Sequence, residues 1–383
     1  MFRINIYLRI ADFLKSIFFF YEKKIIEKKI SKIILDQTNK KELLFASQCR
    51  IAFLYILKYF KYQNFKKNEI IFCSYNLADM VNIAQNLDYS IKFCDLDKKT
   101  NFIDLKQLRT LISKKTKAIV LTNMFNDFEQ ALKLKAMTRK KNILLIEDNA
   151  IYFDNFKKKG NKKIYSGSIG DFSLYSFNIM KNISALYGGA LATDDKKFCE
   201  YYRIENKKLS HFFLVKLTSQ ITIYLFLKIM TIKVLYKLLF FKVVRFSHQK
   251  NLLPLLKIFY PSLKFKKAMF PKYYFTKISY LSLKMIYLQL INTNQRNKNF
   301  LKRRYNNEYY YKALSKIKNK NFQCLKINDF NYQNFLDFPI LVKNKKKFNI
   351  YLLNNGIETK YIHYKDCEKI FKPGKFKCIN SKK

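Results

Sequence analysis

Glycine is scarce in this sequence, and its placement marks one stretch of the chain. Only seven of the 383 residues are glycine, and five of them fall between Gly160 and Gly189. Glycine is retained where the backbone must adopt a positive φ or approach a ligand closely. In a chain with so little of it, this clustering indicates that residues 148–189 hold the functional site.

Histidine and cysteine are too few, and too scattered, for several kinds of site. The three histidines lie far apart, which argues against a histidine-based metal site and against a Ser-His-Asp triad. The seven cysteines are an odd number and contain no C-x-x-C pair, so neither a disulfide framework nor a zinc site is expected. No metal is therefore predicted, and a reduced, cytoplasmic location is the default.

Long apolar runs are also missing. No segment reaches the roughly 18–20 consecutive apolar residues that a membrane-spanning helix needs. Residues 1–35 mix apolar and basic positions and predict an amphipathic helix, with the inner face of a membrane as one candidate location. Residues 211–246 are apolar with interspersed basic residues, which do not collect on one face of a helical wheel. Two interpretations stay open for them: a helical pair packed on the protein, or a segment docked on a membrane.

Acidic residues are few relative to basic ones. The chain has 27 Asp and Glu against 75 Lys and Arg, a net charge of +48. Such a charge is typical of proteins that bind nucleic acid or an anionic membrane. The lysines are spread along the chain, however, and an AT-rich genome would produce the same composition. We therefore favour compositional drift with a weak preference for anions, and we predict no specific nucleic-acid partner.

Short apolar runs alternate with helical stretches between residues 43 and 195. This order is typical of an α/β fold with a mostly parallel, doubly wound sheet. Ligands of such sheets bind beyond the carboxyl ends of the strands, where Asp148 and the loop after Ser176 would lie. The predicted strands are 70–73, 91–94, 118–121, 143–146 and 172–177, and the helices include 105–113 and 130–138.

The C-terminal part predicts a second, smaller α/β unit. The first proline is Pro254, and Pro254, Pro261 and Pro271 place a boundary near 250–275. A long helix is expected over 277–314, then a strand at 338–342 and a helix at 346–354 that ends at Gly356. The predicted segments are an amphipathic helix (1–35), a large α/β domain (36–205), an apolar and basic helical insertion (206–270), and the long helix with a small C-terminal domain (271–383).

Three residues near the predicted strand ends suit Schiff-base chemistry. Lys181 supplies an amine that a partly desolvated site can make nucleophilic. Asp148 supplies a carboxylate at the end of the preceding strand, and Ser176 a hydroxyl that can bind an anion. Each also has an ordinary interpretation: a solvated surface lysine, a helix-capping aspartate and a turn serine.

The motifs around these residues resemble the DegT/DnrJ/EryC1/StrS sugar aminotransferases, enzymes of fold type I (aspartate aminotransferase-like) that depend on pyridoxal phosphate (PLP). The central match is the Ile-Glu-Asp-Asn-Ala run, the Gly-Ser-Ile-Gly-Asp run, then Ser-Phe, Lys-Asn and Gly-Gly, in the family's order and spacing. Weaker matches flank it. In this sequence the motifs occupy 45–53, 93–97, 116–119, 146–150, 167–171, 176–177, 181–182 and 188–189.

The resemblance implies a role for each site residue. Lys181 would be the catalytic lysine that forms the Schiff base with PLP, and Asp148 would pair with its pyridine nitrogen. Ala150 would pack on the ring and Ser176 would bind the phosphate. The cofactor-binding set is completed by residues near the phosphate turn and the lysine: Cys49, Arg50 and Asn182.

The resemblance also implies an activity and partners. The family transfers an amino group from an amino acid, commonly glutamate, to a nucleotide-linked keto-sugar for surface polysaccharide or lipopolysaccharide, and works as a homodimer. A dehydratase branch carries histidine in place of the lysine, so Lys181 favours the aminotransferase branch.

Several positions depart from the family pattern. Cys49 and Arg50 replace the glycine and threonine of the phosphate turn, and Ile151 replaces a glutamine or histidine. Residues 275–277 have lost the family's Asn-x-Arg, and the sequence ends soon after Gly374, where a further strand and helix are expected. The alternative is a degenerate, non-catalytic relative that associates with membranes or polyanions.

Overall fold

A seven-stranded sheet lies at the centre of the molecule. In the order β1-β10-β9-β6-β5-β2-β4, every strand except β10 runs in the same direction. The strands are β1 (Glu42–Ala46), β2 (Glu69–Cys73), β4 (Ser90–Cys94), β5 (Thr116–Thr122), β6 (Leu144–Asp148), β9 (Phe172–Ser176) and β10 (Gly189–Thr193). The computed structural model describes residues 6–63, 66–124, 128–211, 213–252, 254–255, 270–319, 321–324, 336–360 and 364–382.

Helices cover both faces of this sheet because its strands are apolar on both sides. In β2, Ile70 and Phe72 pack into one core, while Ile71 points into the other. The first core is covered by α3 (Cys49–Gln63), α4 (Ala78–Gln85) and α7 (Lys196–Lys207), and the second by α5 (Leu105–Leu111) and α6 (Phe128–Lys140). Near-continuous apolar strands are expected where a parallel sheet is buried on both faces.

A third core packs helices from the start of the chain against a helix that follows the large α/β unit. It lies where α2 (Lys23–Thr38) and α1 (Ile10–Phe18) pack on α11 (Tyr280–Ile291). Ile26, Ile30 and Ile34 form the buried stripe of α2, at the spacing of a helix with one apolar face. A two-stranded hairpin, β7 (Phe156–Lys159) with β8 (Lys162–Tyr165), lies outside the main sheet.

The basic and apolar segment after α7 folds into a helical pair. Its first member is α8 (Leu214–Met230). Its second consists of α9 (Lys233–Leu235), a π-helical turn (Tyr236–Phe240) and α10 (Phe241–Gln249). Among the described residues, no helix combines the length and apolarity that crossing a bilayer requires.

The C-terminal part returns to the carboxyl edge of the sheet. After α12 (Thr293–Leu314) come β11 (Phe322–Cys324), β12 (Ile340–Val342) and α13 (Lys345–Asn354). The short strand β13 (Lys365–Asp366) then pairs with β3 (Tyr75–Asn76), directly after β2, and α14 (Cys367–Phe371) follows. This pairing brings residues near 360 to the end of the sheet where Asp148 lies.

The predicted strands and helices of the large unit are confirmed within a few residues. The helix expected over 277–314 is instead two helices, α11 and α12, because the side chain of Asn292 caps the second by accepting from Gln295 N at 3.1 Å. Between residues 6 and 38 the chain forms two helices, α1 and α2, where one amphipathic helix was expected over 1–35. Strands β1 and β10 were not predicted. The four predicted segments stay predictions, and most of the expected boundary at 250–275 lies outside the described residues.

Candidate active site

Asp148 lies at the carboxyl end of β6, in the middle of the sheet. It is buried, and its carboxylate accepts a hydrogen bond from Ala150 N at 3.0 Å. Burial raises the pKa of Asp148, and the positive charge of Lys181 partly offsets this effect. A buried carboxylate that accepts few hydrogen bonds from the protein is suited to pair with a cationic group of a ligand.

Lys181 follows β9, the next strand of the sheet, in a turn that fixes its backbone. Lys181 N donates to Asn178 O at 3.0 Å, and Ser184 Oγ donates to Lys181 O at 2.7 Å. The side chain is half-buried. Burial, and secondly the nearby cation of Lys360, lower the pKa of Lys181 from 10.5 to about 8, against the attraction of Asp148. A substantial fraction of this amine is therefore neutral, and so nucleophilic, near physiological pH.

Ser176 and Cys49 both lie next to Gly189, at the point where β10 passes the start of α3. Ser176 ends β9, is half-buried and pairs in register with Gly189. Gly189 lies against the first turn of α3: a Cβ built on it would be 2.3 Å from Cys49 N. Only glycine allows this approach. It sets the N-terminus of α3 beside the end of β9, and helix N-termini are suited to bind phosphate.

Cys49 and Arg50 occupy this helix start in different ways. Burial raises the pKa of the Cys49 thiol well above its usual value, so the thiol stays protonated and is no nucleophile. The Arg50 guanidinium forms an ion pair with Asp79 and donates to Tyr274 Oη at 3.3 Å. Arg50 would have to share or leave Asp79 to bind a phosphate, and its phosphate role stays a prediction.

Asn182 and Ala150 line the same region. Asn182 is buried, and its Nδ2 donates to Phe153 O at 3.1 Å. Its Oδ1 atom has no hydrogen-bond partner, and the same holds for the buried Thr122 Oγ1, Asn149 Nδ2 and Ser47 Oγ. Ala150 is half-buried against the first core. Buried polar atoms without partners carry a cost of about 1–3 kcal/mol each, which a bound polar ligand could remove.

The C-terminal unit adds residues that the sequence motifs did not indicate. Lys360 forms an ion pair with Asp337 at 2.7 Å, and both charges act on Lys181. Tyr364 is buried and senses the charge of Asp148, which contributes to raising its pKa after burial itself. Neither residue carries a local sequence signal, since they reach the site only through the β13–β3 pairing.

The packing of the C-terminal unit on the site explains why position 151 is an isoleucine. It is buried in a small apolar cluster with Met124 and Tyr364, which Tyr75 and Leu336 border. The rings of Tyr75 and Tyr364 lie 5.8 Å apart. An apolar side chain at 151 therefore contributes to packing the C-terminal unit against the site, where a polar one would need a partner.

These residues fit a cofactor of the PLP kind in their chemistry. Asp148 is buried, the amine of Lys181 is partly neutral and close enough for the two charges to interact, and a helix N-terminus lies beside Ser176. The fold and this pair define an α/β protein with a candidate Schiff-base lysine at the carboxyl edge of its sheet.

Residues 31–211 match the family model of the DegT/DnrJ/EryC1/StrS aminotransferase family. The chain is 30% identical over 155 residues to the GDP-4-keto-6-deoxy-D-mannose 3-dehydratase of Yersinia pseudotuberculosis, covering 40% of this chain and 37% of that protein. It is 31% identical over 132 residues to the GDP-perosamine synthase of Escherichia coli O157:H7, covering 34% of each. The matched region thus spans about a third of these relatives' length.

Solved structures extend the similarity of fold to nearly the whole chain. Helicobacter pylori PseC, an aminotransferase involved in the biosynthesis of pseudoaminic acid, aligns with a TM-score of 0.65 at 16% identity, over 95% of this chain and 84% of that one. DesI, solved in the presence of its TDP-sugar product, aligns with a TM-score of 0.65 at 14% identity, over 99% and 83%. The expected fold class, an α/β fold with a mostly parallel sheet, is confirmed.

Proposed function

We propose that this protein is a PLP-dependent aminotransferase that moves an amino group from an amino acid, with glutamate as the expected donor, to a nucleotide-linked keto-sugar. The observation that carries the proposal is Lys181, half-buried and with its pKa lowered to about 8, beside the buried Asp148 within the matched region. The product would serve surface polysaccharide or lipopolysaccharide synthesis.

The bound cofactor would supply an electron sink for carbanion chemistry at the substrate's amino-bearing carbon. Asp148 would hold the pyridine nitrogen by its carboxylate, and Ala150 would pack on the ring. Ser176, Cys49 N and Arg50 at the start of α3 would bind the phosphate, with Asn182 alongside. Lys181 Nζ would anchor the cofactor and, when released, would take up and return a proton as a general base.

The chain's own geometry supports proton transfer at Lys181. An amine with a pKa of about 8 can both accept and donate a proton near neutral pH, which is what a general acid–base group needs. The cluster of Met124, Ile151 and Tyr364 would exclude water from one side of the site. Lysine at 181, rather than the histidine of the dehydratase branch, favours amino transfer over dehydration.

Partners follow from the same proposal. A nucleotide sugar and an amino-acid donor would be the substrates, and a homodimer the working form, in the cytoplasm. GDP-perosamine synthase and PseC among the similar proteins support the sugar class. The alternative, a non-catalytic relative, is less favoured because Lys181, Asp148 and the Gly188–Gly189 pair are all in place.

The test is chemical and does not depend on knowing the sugar. Purified protein mixed with pyridoxal phosphate should gain a visible absorbance band, and borohydride followed by peptide mapping should place the cofactor on Lys181. Addition of glutamate alone should release one equivalent of 2-oxoglutarate per site. Lys181→Ala should abolish the labelling and Asp148→Asn should keep it while losing the release. A protein that takes up no cofactor, or that is labelled equally at other lysines, would refute the proposal.

A further inference from the structure

Helix α1 has its polar side inward and its apolar side outward. It buries Asp12 and Ser16 together with Phe13, while Ile10, Leu14 and Phe18 are 52%, 47% and 72% exposed. The buried Asp12 is neutralised by Arg9, whose Nε and Nη2 atoms donate to its carboxylate at 2.7 Å. A helix that only packs on a protein core has the opposite arrangement.

Helix α8 lies beside α1 and shares this feature. The rings of Phe13 and Tyr224 are 5.1 Å apart, and Lys228 Nζ donates to Ile6 O at 3.0 Å. The side of α8 away from its buried residues is also apolar and exposed. We call the exposed apolar side chains of the two helices the α1–α8 surface; its members are Ile10, Leu14, Ile17, Phe18, Leu214, Val215, Ile223, Leu225, Phe226 and Ile229.

The positions of the lysines explain why a helical wheel of the segment was uninformative. Lys216 and Lys228 do not project from the exposed side of α8. Lys228 bonds the chain before α1, and Lys216 lies 5.1 Å from the centre of the Tyr273 ring. The exposed side of α8 therefore carries only apolar, Thr and Ser side chains.

On the α8 side of this surface, the charges near in sequence are all positive. The chain has no Asp or Glu between Glu205 and Glu308, a stretch that contains 21 Lys and Arg residues. Lys233, Lys237 and Lys242 are exposed on the helices that directly follow α8. The α8 side of this surface is thus an apolar patch bordered by cations, whereas the acids nearest to α1 in sequence are Asp12, which is paired with Arg9, and Glu22.

We propose that the α1–α8 surface docks on an anionic membrane, with both helices lying in the interface and the lysines after α8 at the headgroups. A lipid surface matches both features, since it offers hydrocarbon to Phe18 and Phe226 and negative charge to the lysines. A second copy of the chain would bring the same charge of +48 against it. A nucleic acid would satisfy the lysines but give the aliphatic side chains no apolar partner.

Vesicle sedimentation of the full chain tests this docking. The wild type should sediment with vesicles of phosphatidylglycerol and phosphatidylcholine, and much less with phosphatidylcholine alone. Leu14→Ser/Phe18→Ser and, independently, Phe226→Ser/Ile229→Ser should each weaken binding at least about tenfold, because each pair removes two large apolar side chains from the lipid. Lys233→Gln and Lys237→Gln should each weaken it by roughly fivefold, on anionic vesicles only.

Matched variants and the oligomeric state complete the test. Leu301→Ser/Tyr305→Ser removes equally exposed apolar side chains (53% and 68%) from α12 and should leave vesicle binding unchanged. Because all these positions are exposed, unfolding midpoints should stay within the error of the wild type. The proposal is overturned if anionic vesicles do not sediment the wild type at low salt, or if the α12 control loses binding equally. It is also overturned if the α1 and α8 variants turn a dimer into a monomer without affecting vesicle binding.

Discussion

At the scale of single residues, the amine of Lys181 depends on a residue almost 180 positions away in the sequence. The cation of Lys360 is the second cause, after burial, of its lowered pKa, whereas Asp337, the partner of Lys360, acts in the opposite direction. Lys360→Gln removes the repelling charge and leaves Asp337 unpaired, and both changes favour the protonated amine. The pKa of Lys181 should therefore rise from about 8 towards its usual 10.5.

Competitive acetylation of the protein without added cofactor, read by mass spectrometry at Lys181, measures this shift. In the wild type the labelling should rise as pH increases through about 8, since only the neutral amine reacts. In Lys360→Gln the rise should move to higher pH, and Lys360→Arg, which keeps the charge, should follow the wild type. Identical profiles for all three proteins would mean that Lys360 does not act on the site.

Glu147, the neighbour of Asp148, holds the loop that leads into β9. Its two carboxylate oxygens accept from Gly167 N, Ile169 N and Gly170 N at 3.2, 3.0 and 2.6 Å. Asn123 Nδ2 donates to the same carboxylate at 3.1 Å. The strand entering from this loop carries Ser176 and leads to Lys181, so Glu147 positions the site without touching it.

Glu147→Gln should destabilise the protein by about 3 kcal/mol, because an amide NH₂ would face donors that now bond to a charged acceptor. Urea unfolding followed by circular dichroism measures this loss. Glu129→Gln is the matched control, since that carboxylate is on the surface and accepts from Lys157 Nζ. If Glu147→Gln unfolds at the wild-type midpoint, the carboxylate does not hold the loop.

The sequence predicted site residues only where they lie close together along the chain. Asp148 and Ser176 end adjacent strands, and Lys181 follows Ser176 by five residues, so the strand pattern could locate them. Their roles came from the family resemblance. Lys360 and Tyr364 reach the site from the C-terminal unit, and Lys360 is one of many lysines with no distinguishing neighbour. Glu147 had a signal that was not used: a carboxylate inside an otherwise apolar strand needs buried donors.

At the scale of elements, β10 is one of the two strands of the main sheet, with β1, that pattern analysis missed. Its residues, Gly189–Thr193, are all buried and mostly small, so they show neither alternation nor β-branched enrichment beyond the last position. The glycine that weakens the strand signal is needed for the contact with α3. The glycine that hid the strand is thus also the residue that lets β10 approach the start of α3, where the phosphate is proposed to bind.

Gly189→Ala should therefore affect both stability and the site. Its new methyl group would press on backbone atoms of Gln48 and Cys49, which cannot rotate away, at a cost of about 2–3 kcal/mol. Thermal unfolding measures the stability, and titration with pyridoxal phosphate measures the expected weakening at the start of α3.

Gly188→Ala is the control for this substitution. A Cβ at residue 188 would meet side-chain atoms only, Ile286 Cδ1 and Phe177 Cβ at 3.2 Å each, and no backbone atom at less than 3 Å. Its loss of stability should be clearly smaller. Equal losses for the two variants would show that the approach of β10 to α3 is not what requires glycine.

At the scale of the whole molecule, the charge of the chain opposes its own folding. At most 27 of the 75 basic residues can be neutralised one-to-one by acids, which leaves a net +48 to repel itself in the compact state. Ion pairs such as Arg203–Glu42 and Lys61–Asp88 lie on the surface and contribute little each. Added salt weakens both the repulsion between cations and the ion pairs. Because cations are in excess, the net effect of salt on the free energy of unfolding should be stabilising.

Raising sodium chloride from about 50 to about 500 mM should therefore stabilise the protein, because the Debye length falls from above 10 Å to a few ångström and the repulsion between lysines is screened. The measurement is the urea midpoint across the salt series. The gain should level off within this range, since screening is then nearly complete, whereas a general salting-out effect would keep rising with concentration. A midpoint that falls with salt would mean that the ion pairs outweigh the repulsion. In that case the excess positive charges would be spaced on the surface so that their repulsion destabilises the folded state little.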